Sequence, residues 1–270
     1  MIASVPVIRP DSLDDPRLTP FRDVGDAELR RRDGLFLAEG RLVVRRLLTQ
    51  ARYRTRAVLA SETARAALDD VLSGRSDALE VFVVPPAWME DVTGFNLHRG
   101  CLAIGERGTP RQWRELADGA WRLLVLEGVG NPDNIGGLFR TAYAFGVDAV
   151  LLGPGSGDPL YRKAIRVSCG AALVTPYAAV TPWPDALDDL AGGGMAVWAL
   201  TPAADATPIA EACVSGLPSR LALLVGAEGP GLTDASLAFA TQRIRIPIAP
   251  GADSLNVTVA AGIALAAVAS

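Results

Sequence analysis

The segment "NPDNIGGLFRTAYAFG", residues 131–146, combines two features that pull against each other. Ile135, Leu138, Phe139, Ala142 and Phe145 recur at the spacing of one buried helix face. The first turn nevertheless carries Gly136 and Gly137, each costing a helix about 1 kcal/mol relative to Ala. Arg140 follows Gly136 by four residues, on the same face. Such a helix either packs tightly against a neighbour or leaves its backbone open to something that must come close. Asp133 or Asn134 is suited to cap it.

The apolar run "RLLVLE" (122–127) precedes this helix, so the unit reads strand, turn, helix. Further strands follow the same pattern: "DAVLLG" (148–153), "LVTPYA" (173–178), "AVWAL" (196–200), "LALLVG" (221–226) and "RIRIPI" (243–248). Helices are expected between them near 160–169, 184–192, 232–240 and 256–269. Near-continuous apolar strands alternating with helices predict an α/β architecture whose parallel sheet is covered on both faces. Upstream, "LFLAEG", "TRAVLA", "LEVFVV" and "GCLAIGE" read as strands, with helices over "GRLVVRRLLTQ" and residues 61–73. The polar, turn-forming stretch 107–120 reads as a linker. Two α/β domains are therefore expected, 1–106 and 121–270.

Half of the 270 residues are apolar and 21% are charged, enough to bury a sizeable core. The net charge of −4 argues against whole-surface attraction to nucleic acid and allows a local basic patch. Such a patch is present between Phe21 and Arg56. Ten arginines (22, 30, 31, 32, 41, 45, 46, 52, 54, 56) face five acids there. Cys101, Cys169 and Cys213 are far apart and His98 is the single histidine, so no metal site is expected and a reduced, cytoplasmic setting is. The first ten residues lack the pattern of a secretory leader. The apolar stretch 257–269 is shorter than the roughly 20 residues a bilayer requires.

In open α/β sheets ligands bind beyond the carboxyl ends of the strands. Here those ends carry "GVGNPDNIGG", Thr201-Pro202, "GAEGPG" and "APGADSLNVTVAAG". Glycine, hydroxyl and amide groups dominate, offering backbone N–H groups to a ligand. Dinucleotide binding is disfavoured, because Gly128-Val129-Gly130-Asn131-Pro132-Asp133 lacks the third glycine of its fingerprint. There is no phosphate-binding loop with its lysine, and the sole His98 lies outside the larger domain, which removes Ser/His/Asp catalysis.

Three segments taken together are more specific. "NPDNIGGLFRTAYAFG", "LLVGAEGPGL" and "IPIAPGADSLNVTVAAGIALA" resemble, in order and spacing, the three motifs of the SpoU (TrmH-type) RNA ribose methyltransferases of the SPOUT superfamily. The first motif falls on Asn134, Gly136 and Arg140. The second falls on Gly226, Glu228, Gly229 and Gly231, and the third on Pro247, Ser254, Leu255 and Asn256. "RVSCGAA" (166–172) is similar to the family's small-residue segment between the first two. The leading domain is similar, more loosely, to an RNA substrate-binding domain akin to certain ribosomal proteins.

The resemblance implies a parallel sheet with a trefoil knot, a homodimer, RNA as partner, and S-adenosylmethionine as cofactor with no metal. It implies a site built by Asn134, Arg140, Glu228, Ser254 and Asn256, with cofactor contacts at Thr201, Gly226, Ile246 and Leu255. Arg30, Arg31, Arg41, Arg45 and Arg140 are the expected RNA contacts, and Asn134 is expected to orient Arg140 or the ribose. On this reading Gly136 lets a ribose or phosphate approach the Arg140 guanidinium. The implied activity is methyl transfer to a ribose 2′-hydroxyl, with ribosomal RNA favoured by the basic leading domain. The same chemistry on tRNA, an antibiotic-resistance methylase and a non-catalytic ribosome-assembly factor remain alternatives.

Overall fold

The computed structural model describes residues 5–22, 34–73, 79–94 and 100–269. They form two compact units, Met1–Thr109 with Leu160–Val174, and Pro110–Pro159 with Thr175–Ser270. Among the described residues no helix is long and apolar enough to cross a membrane.

The first unit holds strands β1 (Val7–Ile8), β2 (Leu35–Glu39), β3 (Thr55–Ala60), β4 (Glu80–Val83) and β5 (Cys101–Glu106) in the order β1-β4-β3-β5-β2. This sheet is mixed: β1, β4 and β3 run parallel, while β5 is antiparallel to both β3 and β2. Apolar runs report burial on both faces but not strand direction, which depends on the connections. One core joins Leu35, Leu37, Leu59, Phe82, Leu102 and Ile104 to Leu18 and Phe21 of the 3-10 turn Pro16–Phe21. The helix Arg41–Thr49 buries Val43, Val44, Leu47 and Leu48. Arg46 donates to the Cys169 carbonyl at 3.0 Å. A Cβ on Gly170 would lie 3.2 Å from Arg46 Cδ and 3.4 Å from Val43 Cα, so "RVSCGAA" works here as a close-packing segment.

The second unit contains seven strands: β6 (Arg122–Glu127), β7 (Ala149–Leu152), β8 (Tyr177–Ala179), β9 (Ala196–Leu200), β10 (Thr207–Pro208), β11 (Leu221–Gly226) and β12 (Gln242–Arg245). Their order is β10-β12-β9-β11-β6-β7-β8, and every pair is parallel. The chain steps outward from β6 to β8, then crosses to β9, and β11 later fills the gap beside β6. The strand order therefore reverses at β6 and β11, where a ligand crevice is expected.

Three of the stretches read from the sequence differ from expectation. The stretch 107–120 is not simply a linker: Trp113–Asp118 is a helix, and Trp113, Ala117 and Ala120 join the core of this unit. Trp113, Leu116, Ala117 and Ala120 do carry a helical stripe, masked by the polar residues around it. Within "LVTPYA" only Tyr177 and Ala178 are strand, the start of Tyr177–Ala179, since Ala171–Val174 is a helical turn before Pro176. "RIRIPI" leaves the sheet after Arg245, ahead of Pro247.

Candidate active site

The helix Pro132–Ala144 begins at the carboxyl end of β6. Its cap is Asn131, whose side chain accepts from Asp133 N at 2.8 Å, with Pro132 in the first position. Neither Asp133 nor Asn134 caps it. Asn131 occupies the extended position before the helix, which leaves the Asn134 side chain free to face inward.

Gly136 is buried. At Gly137 an added Cβ would lie 2.7 Å from both Cγ2 and Oγ1 of Thr258. The close packing of this helix against the final helix, Val257–Val268, is the reason for that second glycine. At Gly137, of the two explanations open at the sequence level, tight packing holds.

Three loops beyond the sheet meet around one cavity of about 380 Å³, within the range of small-ligand sites. They follow β9, β11 and β12. Thr201, Gly226, Ile246 and Leu255 all line it, as do Glu228 and Ser254. Leu200, Val225 and Ile248 make part of the wall apolar. The loop after β11 folds back sharply, with Gly231 N donating to the Ala227 carbonyl at 3.0 Å. A Cβ on Gly226 would lie 2.5 Å from Leu232 N, against backbone that has no room to yield. Gly229 and Gly231 have φ of +87° and +72°, which side-chain-bearing residues rarely adopt. Apolar walls, a glycine-shaped rim of backbone groups and few charges suit a flat, nucleoside-like ligand.

Asn256 connects this rim to the first helix. Its Nδ2 donates to Asn134 Oδ1 at 2.9 Å and to Glu228 Oε1 at 2.6 Å. Its Oδ1 caps the final helix, accepting from Thr258 N at 2.9 Å and Val259 N at 3.4 Å. One amide side chain thus uses both donors and its acceptor to join the three motifs. Asn134 is therefore partnered by Asn256 and not by Arg140. The reason is helical geometry: six residues at about 100° each place the two side chains on different faces. Arg140 is exposed, and no hydrogen bond or ion pair engages it among the described residues.

Of the arginines expected to bind RNA, Arg41 is exposed at the start of its helix, and Arg30 and Arg31 lie outside the described residues. Arg45 is occupied, donating to Asp70 Oδ1 at 2.8 Å and to the Ala67 carbonyl at 2.7 Å. That pairing raises the Arg45 pKa and lowers that of Asp70. Among the described residues no cluster of three or more His, Cys, Asp or Glu side chains could hold a metal. Cys101 is buried, and loss of solvation pushes its thiol up to about 12.

The description "SpoU rRNA Methylase family" matches residues 122–266. The chain belongs to the SpoU rRNA methylase family. An uncharacterised tRNA/rRNA methyltransferase of Mycobacterium tuberculosis is 43% identical over 93% of this chain and 88% of its own. The 23S rRNA (guanosine-2'-O-)-methyltransferase RlmB of Pseudomonas syringae is 31% identical over 86% of this chain and 84% of its own. A solved RNA 2'-O ribose methyltransferase, 27% identical, superposes with a TM-score of 0.76, covering 97% and 98% of the two chains. The AdoMet-bound rRNA methyltransferase of Sinorhizobium meliloti, 23% identical, shares the fold with a TM-score of 0.77 over 97% of each chain.

Sequence reasoning passed over Glu127, the last residue of β6. It is buried and accepts hydrogen bonds from Trp183, Thr233 and Ser236. The available signal was an acidic residue closing a strand whose interior, Leu123 to Leu126, is apolar.

Proposed function

We propose that this protein transfers a methyl group from S-adenosylmethionine to a ribose 2′-hydroxyl of ribosomal RNA. The observation that carries the reading is the convergence of the cavity rim, Asn256 and the Asn134 helix at the point where strand order reverses. S-adenosylmethionine, when bound, supplies a methyl group on an already activated sulfonium, so the transfer calls for alignment and a proton acceptor but no metal. The apolar wall and the backbone of the glycine loop hold and orient that cofactor. Thr201, Gly226, Ile246 and Leu255 are its contacts.

Arg140 is the catalytic residue of this proposal. Its fork of donors suits a phosphate and stabilises negative charge developing on the 2′-oxygen. A guanidinium is a poor base, so we assign it charge stabilisation and RNA positioning, and the 2′-hydroxyl proton passes to solvent water as the O–CH3 bond forms and the S–CH3 bond breaks. Asn134, Glu228 and Asn256 position the rim through their shared hydrogen bonds, and Ser254 lines the cavity beside them. The first unit, with Arg41 exposed, is the RNA-binding unit, akin to certain ribosomal proteins. The second has the family's trefoil knot. A cytoplasmic homodimer completes the reading, supported by Val259 and Ile263, apolar and 51% and 41% exposed one turn apart on the final helix.

Methyl transfer from labelled S-adenosylmethionine to unmodified ribosomal RNA and tRNA, with products digested to nucleosides for mass spectrometry, tests the proposal. A 2′-O-methylnucleoside from ribosomal RNA is expected. Product from tRNA alone would replace the substrate, and methylated bases, or no methylation at all, would overturn the reaction.

A further inference from the structure

Glu127 is 6% exposed and closes β6, in register with Gly226 of β11. Its Oε1 accepts from Trp183 Nε1 at 3.0 Å, Thr233 Oγ1 at 2.9 Å and Ser236 Oγ at 2.8 Å. Its Oε2 accepts from Thr233 N at 3.1 Å. Thr233 in turn caps the short helix Asp234–Ala238, accepting from Ser236 N at 3.2 Å. The rim segment 227–232 runs between these two attachments. At its start stands Gly226, the ladder neighbour of Glu127, and at its end Thr233, held by the Glu127 side chain. One residue therefore brackets the segment that carries Glu228, Gly229 and Gly231 along the cavity.

We infer that Glu127 is a positioning residue for the methyl-donor cavity: the grip of its carboxylate on Thr233 sets the reach of segment 227–232. This rests on the reading of the cavity as a methyl-donor site. Glu127 itself does not line the cavity, so it acts on affinity through the loop and not through the chemical step. A carboxylate is the required group, because donors approach both oxygens. A carboxamide would turn an N–H₂ toward one of them and leave a buried donor without an acceptor.

The test compares full-length wild type with Glu127→Gln by calorimetric titration with S-adenosylmethionine, beside steady-state methylation of ribosomal RNA. The variant should raise Kd and KM for S-adenosylmethionine by about tenfold or more while kcat at saturation stays within about threefold. Without cofactor, the Thr233 amide should exchange hydrogen faster in the variant than in wild type. Trp183→Phe, which removes the Nε1–H donor together with part of the ring packed against the core, should give a smaller rise in Kd and covers the case in which Glu127→Gln does not fold. Unchanged Kd in a folded Glu127→Gln, or in Trp183→Phe where Glu127→Gln does not fold, overturns the inference, as does a fall in kcat with KM unaltered. Wild type failing to bind S-adenosylmethionine would overturn the proposed function as well, which separates the two failures.

Discussion

Gly226 and Gly137 both stand where a Cβ would collide, and their neighbours differ in kind. At Gly226 the obstacle is main chain, with Leu232 N at 2.5 Å and the Gly231 carbonyl oxygen at 2.6 Å. At Gly137 it is the side chain of Thr258, at 2.7 Å. The first glycine shapes a cavity wall out of backbone, and the second lets two helices close on each other. The same residue type therefore marks a cavity wall in one region and packing in the other. What separates them is whether the neighbour can move.

The wall is the more brittle region, so Gly226→Ala should show the largest effect. Overpacking against backbone costs about 3 kcal/mol, and S-adenosylmethionine binding should weaken by about 100-fold. Thermal unfolding and titration measure both, and a variant with unchanged Kd would erase the contrast. Arg140→Ala should do the reverse, lowering turnover by about 100-fold with Kd changed less than about twofold. Equal losses in both would place Arg140 in the wall. Asn256→Asp keeps the helix cap but replaces its two N–H donors with a carboxylate facing Glu228 at 2.6 Å. Turnover should fall about tenfold with little loss of helical signal. Gly137→Ala should cost about 1 kcal/mol, partly recovered in Gly137→Ala/Thr258→Ala, because a side chain can be trimmed where a backbone cannot. Absence of recovery would mean the helix backbones themselves set the spacing.

Burial produces a further contrast that pH exposes. With its thiol pushed up to about 12 from 9.0, Cys101 keeps its proton in the folded protein at pH values where the unfolded chain loses it. The unfolded state then binds fewer protons, so stability falls as pH rises between those values. The fall should be shallower in Cys101→Ala, measured by thermal unfolding at pH 8 and pH 10. In the folded protein Cys101 should also be alkylated more slowly than Cys169 or Cys213, which are only partly buried.

Much of the fold was legible because its signals are local. Apolar runs at 122–127, 196–200 and 221–226 coincide with strands of the parallel sheet. Glycine and amide residues at the strand ends marked the loops that line the cavity. The helix at Trp113 was hidden because polar neighbours dominate its composition, although its stripe is regular.

By itself, then, the amino-acid sequence determined the alternation of strands and helices, the three motifs and the residues available for chemistry. Those depend on periodicities and turn geometries that span a few residues. Only the tertiary structure decided partnership: Asn134 with Asn256 across 122 residues, Glu127 with Thr233 across 106, and Gly137 against Thr258. A side chain's partner depends on which strand end lies beside it. In a sheet ordered β10-β12-β9-β11-β6-β7-β8 that neighbour is rarely the next one along the chain.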